Sequence, residues 1–124
     1  MQGLHLTADL HDCDCAISCL GDATWLLANC VQAVAAADLQ AVAQLGHTFP
    51  NTRHGPGGVT ATVLLAESHL CLHTWPEQRA VTLDVYVCNF GGDHSSQALA
   101  LMESLSQLFK PGKVQHNRLW RGNC

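Results

Sequence analysis

The stretch from residue 59 to residue 88 constrains the fold most. Three apolar runs, 59–66, 69–75 and 80–88, follow one another with almost no chain between them. They are rich in Val, Leu, Thr and aromatics, the composition of strands, and separators this short permit only tight antiparallel turns. Pro76-Glu77-Gln78-Arg79 supplies the second turn. If Trp75 pairs with Ala80, then His73 faces Thr82, Cys71 faces Asp84, His69 faces Tyr86, and Cys88 lies opposite Glu67. One face of this sheet then carries Leu70, Leu72, Val81, Leu83, Val85 and Val87. The other carries His69, Cys71, His73, Trp75, Thr82, Asp84, Tyr86 and Cys88. A merely solvated face would show Lys, Glu and Thr, so this concentration of thiols, imidazoles and aromatics reads as a reaction surface covered by a second protomer.

The rest of the chain supplies more of the sheet and its cover. Leu4, Leu6, Ala8 and Leu10 alternate with His5, Thr7 and Asp9, the period of a half-buried strand. Asp22 is an N-cap candidate for a helix over residues 24–45, with Leu27, Val31, Val34, Val42 and Leu45 as its buried stripe and Gly46 as its C-terminal residue. Pro50, Asn51, Gly55, Pro56, Gly57 and Gly58 mark residues 46–58 as a loop. A second helix is expected after Ser95 or Ser96, burying Ala98, Leu101, Met102, Leu105, Leu108 and Phe109, stopped by Pro111-Gly112. A short strand over 114–119 ends the pattern. With 48% apolar residues in 124, the chain suits one α+β domain over 1–124. We expect a two-layer sandwich: an antiparallel sheet, two helices on one face, a second protomer on the other.

Several function classes are disfavoured. A net charge of -4 with scattered Lys and Arg offers no footprint for nucleic acid. No run is apolar enough to span a bilayer and residues 1–10 have no signal-peptide pattern, so a cytoplasmic enzyme without membrane contact is expected. The seven cysteines, Cys13, Cys15, Cys19, Cys30, Cys71, Cys88 and Cys124, are odd in number and irregularly spaced, which favours reduced thiols over a disulfide framework. No metal is expected. Cys13-x-Cys15-x-x-x-Cys19 lacks paired CxxC knuckles, and His69-x-x-x-His73 falls on a strand rather than a helix.

The segments Gly58-Val59-Thr60, Glu67-Ser68-His69, His73-Thr74-Trp75-Pro76-Glu77 and Cys88 together resemble the bacterial S-adenosylmethionine decarboxylase proenzyme family. His5-Leu6 and Cys13-Asp14 extend the likeness to the first strand. The resemblance implies a self-processing, pyruvoyl-dependent decarboxylase serving spermidine biosynthesis, a homodimer acting on a small molecule. It implies that Ser68 attacks the Glu67 carbonyl to give an ester, that β-elimination splits the chain into 1–67 and 68–124, and that Ser68 becomes the pyruvoyl cofactor, which forms a Schiff base with substrate. It assigns His73 to proton abstraction in processing, Thr60 to stabilising the ester step and Cys88 to proton donation in turnover. Glu77 would hold the ribose hydroxyls, Trp75 would wall the pocket, and Phe49 in His47-Thr48-Phe49 would stack on adenine. The chemistry suits the need: losing carbon dioxide from an α-amino acid requires an electron sink no ordinary side chain provides.

Two other readings remain at this point. The same scaffold hosts relatives that decarboxylate L-ornithine or L-arginine; such substrates need a carboxylate for the distal amine, and Asp9, Asp84 or Glu77 would serve. A non-catalytic binding module would have lost Ser68, His73 or Cys88, and all three are present.

Overall fold

The computed structural model describes residues 2–122. Six strands form one antiparallel sheet: β1 Gln2–His11, β2 Ala41–Thr48, β3 Val59–Leu65, β4 Ser68–Trp75, β5 Ala80–Cys88 and β6 Lys113–Gly122. Their order is β2-β3-β4-β5-β1-β6. Helices α1 (Ala23–Ala36) and α2 (Ser95–Leu108) both cover one face, α1 over β2 and β3, α2 over β5 and β1. This is the expected two-layer α+β architecture. Among the described residues, no helix is long and apolar enough to cross a membrane.

Alternation explains why β1, β3, β4 and β5 form and how they face. Leu4, Leu6, Ala8, Leu10, Val59, Ala61, Val63, Leu70, Leu72, Val81, Leu83, Val85 and Val87 are all buried beneath the helices, as period-two burial requires. The β4–β5 pairing is the expected one: Trp75 opposite Ala80, His73 opposite Thr82, Cys71 opposite Asp84 and His69 opposite Tyr86. Thr74, the one polar residue of β4 that is buried, donates to Leu20 O (2.6 Å) and accepts from Val59 N–H (2.8 Å).

The first helix is shorter than its composition predicts. Asp22 caps it as expected, accepting from Trp25 N–H at 3.1 Å. It ends at Ala36, because Asp38 turns left-handed (φ 61°). Asp38 N–H then bonds Ala35 O and Leu39 N–H bonds Val34 O, the paired closure of a Schellman terminus. Residues 41–48 form β2 instead, with an irregularity between Ala41 and Ala43. The expected stripe is corrected accordingly: Ala23, Leu26, Cys30 and Val34 are buried, while Val42 and Leu45, at 60% and 73% exposure, belong to β2. Ala, Gln and Leu favour helix locally, but pairing with β3 overrides a propensity worth only tenths of a kcal/mol per residue. Gly46 is no helix terminus. It gives α1 room, since a Cβ there would lie 2.7 Å from Leu27 Cδ1.

The loop is therefore 49–58 rather than 46–58. Phe49 N–H bonds Gly58 O at its neck (2.9 Å), and Thr52 and Gly55 bridge near its tip. Gly58 is needed there, because a Cβ would meet Thr74 O at 2.2 Å. Ser95 begins α2 rather than capping it, and its N–H is taken by the Asp93 carboxylate (2.9 Å), which lowers the Asp93 pKa. Ala98, Leu101, Met102, Leu105 and Phe109 are buried as expected. The last strand, β6, is longer than predicted, and all of its residues are exposed.

Candidate active site

The face not covered by helices carries the expected row: His69, Cys71, His73 and Trp75 from β4, with Thr82, Asp84, Tyr86 and Cys88 from β5. β1 adds His5, Thr7 and Asp9, since His5 pairs with Tyr86 and Thr7 with Asp84. Apolar side chains lie open on the same face, Leu45 at 73%, Leu64 at 46%, Trp75 at 39% and Leu119 at 60% exposure. Exposed apolar patches of this kind mark interaction surfaces.

The candidate residues divide into two groups at opposite ends of β4. At one end, Ala66 and Glu67 form the two-residue turn between Leu65 and Ser68, which are paired. Glu67 sits at φ 56°, a left-handed conformation that costs a non-glycine residue about 1–2 kcal/mol. The next peptide bond is the Glu67–Ser68 bond. Ser68 Oγ accepts from Cys88 N–H at 3.0 Å, so serine and cysteine adjoin as the predicted opposition of Cys88 and Glu67 requires. Ser68 is in the same alternation row as the buried Leu70 and Leu72. It therefore does not share the open face with His73 and Cys88. Being at the sheet's end, it borders cavities on both sides. One, about 530 Å³, includes Glu67, His69, Tyr86 and Arg121. The other, about 280 Å³, includes Glu67, Cys88, Phe90 and His94.

The second group lies at the far end. Thr60 and His73 are directly paired across β3 and β4, and Thr60 Oγ1 is 3.0 Å from His73 Nδ1. The two share a cavity of about 290 Å³ with Phe49, Trp75 and Glu77. The His73 and Trp75 rings are 6.1 Å apart, and the Phe49 ring is held edge-on by His47 at 4.7 Å. All three substrate-binding candidates thus line one pocket. Ser68 does not line it. Ser68 and His73 are five positions apart on an extended strand, about 16 Å at the usual rise. Within one chain, His73 cannot touch Ser68.

Sequence reasoning did not single out His5 as a site residue. His5 Nε2 lies 2.7 Å from Asp84 Oδ2, and His69 Nε2 lies 3.5 Å from Asp84 Oδ1. The only signal was its place on the polar side of an alternating strand. The cysteines provide less. The six described ones are free thiols; Cys124 lies outside the described residues. Burial pushes Cys13 up to about 11 and Cys30 up to about 12, and raises Cys15 as well. These three are core thiols. Arg79 ties down the loop of Cys13 and Cys15 by donating from Nη1 to Cys13 O and Cys15 O, at 2.7 and 2.9 Å.

The arrangement therefore offers a left-handed residue preceding a serine, a cysteine whose backbone N–H bonds that serine, and a hydroxyl–imidazole pair set in an aromatic pocket. Comparison with known proteins gives the family. The family described as S-adenosylmethionine decarboxylase matches residues 4–122. The chain is 33% identical over 122 residues to an S-adenosylmethionine decarboxylase proenzyme of Picrophilus torridus, covering 98% of this chain and 85% of that one. It is 39% identical over 107 residues to the Aquifex aeolicus protein of the same name, covering 86% and 71%. A crystal structure of the Aquifex aeolicus adenosylmethionine decarboxylase superposes with a TM-score of 0.79 at 31% identity, over 98% of this chain and 92% of that chain. On sequence and on fold, the chain belongs to the S-adenosylmethionine decarboxylase family, whose members are pyruvoyl-dependent decarboxylases.

Proposed function

We propose that the chain cleaves itself between Glu67 and Ser68 and, using the pyruvoyl group so formed, decarboxylates S-adenosylmethionine. The observation that carries this reading is the junction of a left-handed Glu67 with a Ser68 whose Oγ is held by Cys88 N–H. Attack by Ser68 Oγ on the Glu67 carbonyl makes an ester and frees the Ser68 nitrogen, relieving the strain of the turn. Removal of the Ser68 Cα proton then eliminates Glu67 as a carboxylate and leaves a dehydroalanine at position 68; this tautomerises to an imine, and water hydrolyses the imine to the pyruvoyl ketone with release of ammonia. The residues present fit the cofactor, since a serine follows the left-handed Glu67 and Cys88 holds that serine through its backbone N–H. Bound at position 68, the ketone would serve as the electron sink for the departing carboxylate's electrons. Cys88, which lines a cavity with Ser68, would return a proton to the substrate carbon.

The processing base must then come from elsewhere. With His73 about 16 Å from Ser68 along its own strand, each complete site pairs Ser68, Glu67 and Cys88 of one protomer with Thr60 and His73 of another. A homodimer joined through the open sheet faces achieves this, and it covers Leu45, Leu64, Trp75 and Leu119. Thr60 Oγ1, hydrogen-bonded to His73 Nδ1, stabilises the developing oxyanion or ester while His73 takes the proton.

The Phe49–Trp75–Glu77 pocket favours S-adenosylmethionine over a plain basic amino acid. Two aromatic walls suit a flat adenine, and a carboxylate at the rim suits ribose hydroxyls. Abundant free thiols accord with a cytoplasmic location. Carbon dioxide release from S-adenosylmethionine, L-ornithine and L-arginine by purified, processed protein tests the assignment. Release from S-adenosylmethionine alone is expected; preferential release from ornithine or arginine would overturn the substrate.

A further inference from the structure

At the middle of the open face, β1, β5 and β4 bring together three metal-ligand side chains from three strands. His5 and His69 each pair with Tyr86 from opposite sides of β5. Both rings lean diagonally toward Asp84, two residues earlier on the same face. One ligand atom from each of the three lies within 4.8 Å of the others, and among the described residues they are the only such group. The imidazoles meet edge to face with centroids 6.2 Å apart.

A histidine–aspartate hydrogen bond accounts for only half of this. His5 Nε2 and Asp84 Oδ2 make that bond at 2.7 Å. Asp84 Oδ1, however, is shielded from solvent and has no hydrogen-bond partner, and His69 Nε2 stands off at 3.5 Å, too far for a well-formed bond. An unsatisfied, shielded carboxylate oxygen is costly. A cation bound at about 2.0–2.2 Å from each donor would satisfy Oδ1 and engage both rings.

The geometry points to a binding site for one divalent transition-metal ion, of which zinc is the representative, held by His5 Nε2, His69 Nε2 and the Asp84 carboxylate. Two imidazoles and a carboxylate are a donor set for zinc or ferrous iron, whereas magnesium and calcium prefer all-oxygen sites. Three protein ligands leave a fourth position open, as in sites where the metal also takes water or a ligand. Of the three ligands, His69 lines the cavity of about 530 Å³ that also contains Ser68 and Tyr86. Sequence spacing conceals the site, because His5, His69 and Asp84 meet only through strand pairing.

The test reads binding rather than turnover, so it succeeds or fails separately from the decarboxylase reading. Chelator-stripped Ser68→Ala protein, uncleaved and uniform, is dialysed against zinc and titrated with cobalt. We expect one zinc per chain, and visible cobalt bands of nitrogen and oxygen ligation with no thiolate charge-transfer band. His5→Gln and Asp84→Asn, each checked for native circular dichroism, should weaken binding about tenfold or more. Absence of stoichiometric binding, a thiolate band, or unchanged affinity in either folded variant overturns the proposal.

Discussion

If each site is shared between protomers, two inactive variants should rescue one another, and only in one direction. Ser68→Ala removes the attacking oxygen, and His73→Ala removes the base. Each homodimer lacks one group at both of its sites, so Ser68→Ala should stay whole. His73→Ala should process more slowly by about 10²–10⁴-fold, the usual contribution of general acid–base catalysis. A mixed dimer has one site with both defects and one with neither. The intact site joins Ser68 of the His73→Ala chain to Thr60 and His73 of the Ser68→Ala chain. The magnitude is set by β4: about 16 Å of strand forbids the pair from meeting within one chain, so a merely local defect could not be rescued. The assay co-expresses the variants with different tags, isolates the doubly tagged dimer and follows cleavage on denaturing gels. Only the His73→Ala chain should split, at close to the wild-type rate per competent site. If it stays whole in the mixed dimer while wild type cleaves, or if its homodimer processes normally, the shared-site reasoning fails.

Three further outcomes follow from other parts of the fold. Glu67→Gly removes the left-handed strain at the cleavage bond; we expect slower processing and an uncleaved chain more stable by about 1 kcal/mol, read by gel time course and thermal melting, and faster processing would contradict the role of strain. Thr74→Val leaves Leu20 O and Val59 N–H without their buried partner; a loss of about 1–3 kcal/mol in denaturant unfolding is expected, and an unchanged midpoint would refute it. Burial raises Cys13 to about 11 and Cys30 to about 12 from an ordinary 9.0. The unfolded chain gives up these protons at lower pH than the folded one, so their contribution is complete below about 9 and fades as pH rises toward 12. Stability should fall across that alkaline window, and alkylation at pH 8 should spare both thiols while labelling the partly exposed Cys88; rapid labelling of Cys30 would contradict its burial.

How much the sequence disclosed depended on whether a signal was local. β3, β4 and β5 were legible as strands, and the β4–β5 pairing to the register, because Val and Leu alternate with polar residues between two short turns. β2 was not: Val42 and Leu45 continue the helical spacing of Val31 and Val34, and only the left-handed Asp38 and the pairing with β3 break it. Ser68, Thr60, His73 and Cys88 were singled out through family likeness, and their division into two groups was implicit in the five-residue spacing of Ser68 and His73 on a strand. The convergence of His5 with Asp84 and His69 had no local signature, because three strands distant in sequence create it.

The central claim is that Ser68 is converted into the cofactor by scission of its own preceding bond. Intact mass spectrometry of the purified protein, with the Ser68→Ala variant beside it, tests this most directly. The account predicts two fragments meeting between Glu67 and Ser68, the second lacking a free α-amino group and blocked to Edman sequencing, with the variant whole. A wild-type chain that stays intact through prolonged incubation, or a second fragment that begins with an ordinary serine, would contradict it.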